Sequence, residues 1–333
     1  MKKLLIYLVL LTFITGLVIG GYFYNQYQDF LTQPVFTAKS TSFEIKKGTN
    51  YGDFVKLIKS KGANGDVFNW KVMARYHHLE NSIKAGEFQV DSSMKPRELI
   101  DYIAQNNVIT YSITLIEGHN WRQIKQQLIN SPLSNTLLDL SEKELMDHLG
   151  IEAGHLEGQF LPETYQYTKG DEDLDILSRA HVALNAELAK AWTGRDQDLL
   201  LKTPYELLIL ASIIEKETAE SSERNVVSGV FHRRLKKGMR LQTDPTVIYG
   251  VGTAYAGDIT SAHLRTDTPY NTYTRKGLPP TPIAMPSAAS IHAAAHPNSG
   301  NELYFVANNK GGHTFSETYE EHQKAVQAYL KGL

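Results

Sequence analysis

Two glutamates separated by one lysine, Glu215 and Glu217, close the run TPYELLILASIIEKET between Thr203 and Thr218. A carboxyl group at the apolar end of a buried helix is a candidate general acid. Desolvation disfavours its charged form and raises its pKa, and so does the negative end of the helix dipole. A glutamic acid that stays protonated near neutral pH can donate to a leaving oxygen. The same four residues, EKET, also read as a solvated terminus in which Lys216 screens two surface acids. Helical spacing does not choose between the glutamates. Glu217 follows Ile214, Ile213 and Leu210 by three, four and seven residues, and Glu215 follows Ala211 and Leu208 by four and seven, so both flank apolar surface.

The element that must position them is a helix with a well-marked start. Thr203 suits the N-cap, Pro204 the first helical position, and Glu206 completes a T-x-x-E capping box. From Leu207 to Ile214 only Ser212 is polar, and apolar residues on every face place a helix in a core.

Around that helix stands a chain of 333 residues, length enough for about two domains, with 42% hydrophobic and 21% charged residues, as in folded proteins. Thirty-four basic residues against thirty-six acidic ones leave no electrostatic footprint for nucleic acid. At the N-terminus Lys2 and Lys3 precede an apolar run from Leu4 to Tyr24, near the roughly 20 residues that span a bilayer. The run leaves through Tyr22, Phe23, Tyr24 and Tyr27, side chains suited to a membrane interface, and is longer than the core of a cleaved signal peptide. We therefore expect residues 1–24 to be a cytoplasmic tip and an uncleaved single-pass anchor, with the rest of the chain outside the cytoplasm. Cysteine is absent, so the expected location rests on the anchor alone.

Residues 25–42, polar and aromatic with no clear period, read as a spacer. In residues 43–107 a strand at Phe43, helical periods at Tyr51 to Lys61 and Val67 to Tyr76, a strand from Gly86 to Val90 and a helix from Lys95 to Asn106 follow in order. This βααβ order resembles a LysM-like module, which would bind glycan rich in N-acetylglucosamine; it also suits a generic α+β packing unit. Residues 108–333 read as a mixed α+β domain, so the fold class is α+β. It opens with a β-branched strand, Val108 to Leu115, and a helix from Trp121 to Asn130. HLEGQFLPETYQY, His155 to Tyr167, interleaves acids with aromatics, a mixture suited to sugars but also to a half-buried strand and turn. Further helices run from Leu174 to Trp192 and from Glu223 to Lys237, the latter closed by Gly238. Its basic run Arg233 to Lys237 reads as a solvated last turn. Beyond Gly238 the texture suggests short strands and ordered turns, where function often resides.

Other chemistries find little support. His292 and His296 are spaced i, i+4, but alanines fill the gap where a zinc protease needs a glutamate, and Pro297 follows at once, so no metal is expected. Neither a phosphate-binding G-x-x-x-x-G-K-[ST] nor a G-x-S-x-G nucleophile elbow occurs.

Met239 to Gly250 (MRLQTDPTVIYG), Tyr270 to Ser287 (YNTYTRKGLPPTPIAMPS) and Lys310 to His322 (KGGHTFSETYEEH), with EGQFLPETY and ASIIEKET, resemble the YceG-like family of endolytic murein transglycosylases. The resemblance runs from the anchor to the C-terminus. It implies a lyase that cuts peptidoglycan glycan strands internally near the membrane, without a cofactor and in association with glycan-polymerising synthases. It assigns catalysis to Glu217, the second glutamate of the EKE segment, and support to Glu215. It makes Glu163, Gln242, Thr243, Asp244, Tyr249, Asn271, Tyr273 and His313 cleft candidates. Asp244 before Pro245 could equally form an Asx turn, and His313 could line the cleft or cap a turn. One rival is a two-carboxylate muramidase, with Asp244, Asp258, Asp267 or Glu163 as partner acid. A second rival is a non-catalytic scaffold that binds peptidoglycan.

Overall fold

The computed structural model describes residues 2–79 and 81–332. Its first helix, α1 (Lys2–Thr32), is long and apolar enough to cross a membrane, and its apolar side chains from Leu4 to Tyr24 are exposed. The chain divides into two units, the first comprising residues up to Tyr111 with Gln166–Gly170, the second Ser112–Tyr165 with the residues from Asp171 onward.

In the first unit, β1 (Ser40–Ile45), α2 (Tyr51–Ser60), α3 (Val67–His77), β2 (Gly86–Asp91) and α4 (Pro96–Ala104) follow in the anticipated order. Asn50 and Asp66 cap α2 and α3 through their side chains, and Pro96 opens α4. β1 and β2 pair antiparallel with Phe43 opposite Phe88, so that Phe43, Ile45, Phe88 and Val90 turn one face into the core. The spacer reading of residues 25–42 is corrected here. The helix runs on to Thr32, and Phe30, Val35 and Phe36 are buried in the same core, where Phe30 meets Trp70 edge to face at 5.1 Å. Three large apolar groups one to six residues apart were enough to draw the segment inward.

β3 (Thr110–Thr114) and β4 (Thr164–Thr168) each have residues in both units, and the second unit holds α5 (Trp121–Ile129), α6 (Glu142–Leu149) and α7 (Asp173–Gly194). β3 and β4 form a two-stranded sheet.

The centre of the second unit is α8 (Pro204–Glu217). Thr203 accepts from the Glu206 N–H as N-cap, and every residue from Leu207 to Ile214 is buried. Ser212, the polar member of that run, donates to the Ile209 carbonyl at 2.7 Å and accepts from the Ile283 N–H at 3.0 Å, so no polar group is stranded. α7, α9 (Arg224–Lys236), α10 (Asp244–Val251) and α12 (Ala288–Ala295) surround it, with α11 (Ser261–Arg265) between the last two in sequence. The small side chains of α12, buried at Ala293, Ala294 and Ala295, let it approach α8 closely. β5 (Tyr304–Ala307) pairs antiparallel with β6 (His313–Ser316), and α13 (Tyr319–Lys331) follows.

Two further expectations are corrected in this unit. The described residues after Gly238 form four α-helices, a short 3-10 turn at Gly252–Ala254 and one hairpin rather than mainly short strands. Pro245 near the start of α10 sets helical backbone, and burial of Thr246 and Val247 overrides the β-propensity of TVIY. The basic run of α9 is solvated at Lys236 and Lys237 but not at its two arginines. Arg234 is 7% exposed and donates to the carbonyls of Leu303 (2.6 Å) and Leu241 (2.7 Å), while Arg233 donates to Asn298 and pairs with Glu302 at 2.8 Å. Their face of α9 meets the chain around β5, whose free carbonyls need donors.

Candidate active site

The last turn of α8 turns its two glutamates to different neighbours. Glu215 accepts from the Ser287 N–H at 2.9 Å and from its hydroxyl at 2.6 Å, which ties α8 to the residue that caps α12. Glu217 accepts from the Thr243 hydroxyl. Its side chain is half-buried, and burial pushes its pKa up to about 7. The Thr243 hydrogen bond works against that rise, the nearby Asp244 adds to it, and His313 and Arg234 oppose it. Glu217 is thus poised to hold or release a proton near neutrality.

Thr243 is held in turn. Its N–H donates to the Thr272 hydroxyl at 3.0 Å, its carbonyl accepts from Thr246 at 2.8 Å, and the Thr246 and Thr272 hydroxyls lie 2.9 Å apart. All three threonines are buried. The preceding Gln242 has φ +52°, a left-handed conformation that costs a non-glycine residue about 1–3 kcal/mol and clusters at functional sites. Its side chain is exposed. Asp244 begins α10 and accepts from the Tyr273 hydroxyl at 2.6 Å; burial first, then that bond, raises the Tyr273 pKa.

On the other side, β6 brings in His313, which donates through its N–H to Glu223 Oε1 and lies with Nδ1 2.7 Å from Glu223 Oε2. Burial alone would raise the Glu223 pKa, but the bonds from His313 outweigh it and hold the carboxyl below its usual value. Glu223 also accepts from Thr218, the C-cap of α8.

The structure therefore gathers Glu217, Thr243, Asp244, Tyr273 and His313 into one cluster, through hydrogen bonds or through their charges. Five other candidates stand outside it. Asn271, 1% exposed, donates to the carbonyls of His263, Leu264 and Thr266 and accepts from the Tyr273 N–H, so its amide shapes the loop. Glu163 is exposed and lines a depression of about 680 Å3 with Glu117, Glu215 and Arg224. Asp267 is bound by Arg275 through two bonds of 2.9 Å and lowered to about 2, and Asp258 lies in an exposed loop. Tyr249 lines a second cleft, of about 890 Å3, and donates to Glu157 at 3.1 Å.

Sequence reasoning missed two carboxyl groups, Glu157 and Glu223. Glu157 stood inside the EGQFLPETY motif, where its position beside Gly158 was the available signal. Gly158 has φ +73°, and a Cβ there would lie 2.4 Å from Pro282, so only glycine brings the chain this close. Glu223 carried no signal, because its partner lies ninety residues away. As for metals, His296 Nδ1 lies 3.0 Å from Asp196, and among the described residues no three His, Asp or Glu side chains converge to hold an ion.

Comparisons with known proteins agree over most of the chain. The sequence model of the YceG-like family matches residues 43–328. An endolytic murein transglycosylase of Bacillus subtilis is 30% identical over 335 residues, covering 94% of this chain and 91% of the relative. A protein of the same name from Streptococcus pneumoniae D39 is 25% identical over 360 residues, covering 96% of this chain and 64% of the relative. A crystal structure of a yceG-like protein from Listeria monocytogenes matches with a TM-score of 0.55 at 27% identity, covering 86% of this chain and 98% of that one.

Proposed function

The chain belongs to the YceG-like family, and on that premise we propose that it is a peptidoglycan lytic transglycosylase cutting within glycan strands, with Glu217 as its single acid and base. The observation that carries the assignment is the placement of Glu217 at the end of the buried helix α8, with its pKa pushed to about 7. A carboxyl group that must give a proton and take one back works best when its pKa lies near the working pH.

In the proposed reaction, protonated Glu217 donates to the glycosidic oxygen between N-acetylmuramic acid and N-acetylglucosamine. The C1–O bond breaks through an oxocarbenium-like state. The muramoyl 6-hydroxyl then attacks C1 and gives its proton to the Glu217 carboxylate. The enzyme returns to its starting form, no water is consumed, and one new end is a 1,6-anhydro sugar. The Thr243 hydroxyl, with the charges of His313 and Arg234, favours the carboxylate formed midway, while burial and Asp244 favour the acid. These opposed influences keep both forms accessible. Glu215 acts at one remove, through Ser287 and the position of α12.

The proposal extends to the rest of the chain. α1 anchors the protein in the cell membrane with its N-terminus in the cytoplasm, supported by the lysines at its start. The catalytic unit then faces nascent peptidoglycan outside, where glycan-polymerising synthases work. The βααβ order of the first unit supports a LysM-like glycan-binding role.

The test compares Glu217→Gln with Glu215→Gln on isolated glycan strands. Glu217→Gln should abolish cutting while the fold survives; Glu215→Gln should slow it and lower stability together. Undiminished cutting by Glu217→Gln removes the assignment.

A further inference from the structure

A second buried carboxyl lies outside this reaction. Glu157 is 7% exposed, yet it lines the cleft of about 890 Å3 in the second unit, a size within the roughly 300–1,000 Å3 of small-molecule sites. The N–H of Trp121, in the first turn of α5, lies 3.0 and 3.2 Å from its two oxygens, and the Tyr249 hydroxyl donates at 3.1 Å. Burial pushes its pKa up to about 7 against the bonds from Trp121, Tyr249 and the Gly158 N–H. Those three donors fill fewer than the about four acceptor sites of a carboxylate. Room remains for a donor from the cleft.

The walls indicate what that donor belongs to. Trp121, Tyr249, Tyr255 and Tyr270 bring aromatic surface, and Gln123 adds an amide. Tyr249 and Tyr270 meet edge to face at 4.8 Å, which fixes their rings, and Trp121 is fixed by its indole N–H on Glu142 at 2.9 Å. Charges of both signs share the lining, Arg122 and Lys216 against Glu142 and Glu157, so the cleft does not select an ion of one sign. Rigid rings beside a buried acceptor suit a neutral pyranose, whose C–H face packs on aromatic carbon while its hydroxyl and amide groups donate. The cleft also adjoins the reacting centre. Lys216 precedes Glu217, and Pro245, Ile248 and Tyr249 belong to α10, the helix that begins at Asp244.

We propose that this cleft is a saccharide-binding subsite for an N-acetylated pyranose next along the strand that Glu217 cuts, with Glu157 as its buried polar floor. The neighbouring role rests on the assignment of cleavage to Glu217; the binding itself does not.

The test uses the full chain in detergent with Glu217→Gln to prevent turnover, titrated calorimetrically with tetra-N-acetylchitotetraose. Adding Glu157→Gln or, separately, Tyr255→Leu at the half-buried rim should each weaken binding roughly tenfold, the loss of one good contact. Tyr255→Leu keeps the test decisive if Glu157→Gln disturbs folding. Failure of the tetramer to bind, or affinities unmoved by Tyr255→Leu and by a folded Glu157→Gln, would overturn the subsite whatever Glu217 does. If wild-type protein cuts no strand yet binding depends on these residues, the subsite stands and the catalytic reading falls.

Discussion

Replacing Thr243 by valine, close in shape, removes the hydroxyl that donates to Glu217. A hydrogen bond to a charged acceptor is worth about 1.5–3 kcal/mol and one to a neutral acceptor about 0.5–1.5, so the hydroxyl favours the carboxylate by about 1–1.5 kcal/mol. That difference corresponds to about one pKa unit. Without it the Glu217 pKa should rise from about 7 toward about 8. The protonated, donating form then persists to higher pH, and the basic limb of the kcat/KM profile on glycan strands should move up by about one unit while the maximal rate falls. Stability must follow the same sign. A glutamate raised in the folded state contributes stability present below its unfolded pKa of about 4.5 and lost as pH rises through its folded value. Thr243→Val should therefore lose about 1.4 kcal/mol more than wild type between pH 5 and pH 9 in urea titrations. A basic limb that stays fixed or moves down would refute the role given to this bond.

Glu157→Gln should remove a pH dependence of its own. With the wild-type pKa raised from 4.5 to about 7, native stability drops by about 3 kcal/mol between pH 4 and pH 8, and the variant should lack that portion in urea titrations. Asn271→Ala leaves buried carbonyls without donors and should cost about 2–3 kcal/mol, read as a lowered denaturant midpoint. A chain starting at residue 26 should keep the first unit folded. One starting at residue 43 loses Phe30, Val35 and Phe36, on the order of 5 kcal/mol of burial, and that unit should become sensitive to proteolysis.

What could be read from the chain follows the range of the forces involved. The capped start of α8, its buried run and the element order of the first unit were legible because Thr203, Pro204 and the apolar periods of the sequence act over a few neighbouring residues. The choice between Glu215 and Glu217 was not, since it depends on Thr243 and Ser287, which the fold brings in from distant segments. Local propensity misled where burial decided: at Phe30 and Phe36, at Thr246 and Val247, and at Arg234, which packs as core rather than surface. Asn271 shows a different limit. Its amide suits a sugar as well as a carbonyl, and only the fold reveals that three carbonyls occupy it.

The central claim is that one carboxyl group, Glu217, cuts the strand without water. Mass analysis of uncrosslinked glycan strands digested by the full chain and by Glu217→Gln tests it most directly. The account predicts internal cuts with 1,6-anhydro-muramoyl ends, each one water lighter than a hydrolysed end, from wild type and none from the variant. Reducing ends from wild type, or anhydro ends from Glu217→Gln, would contradict it.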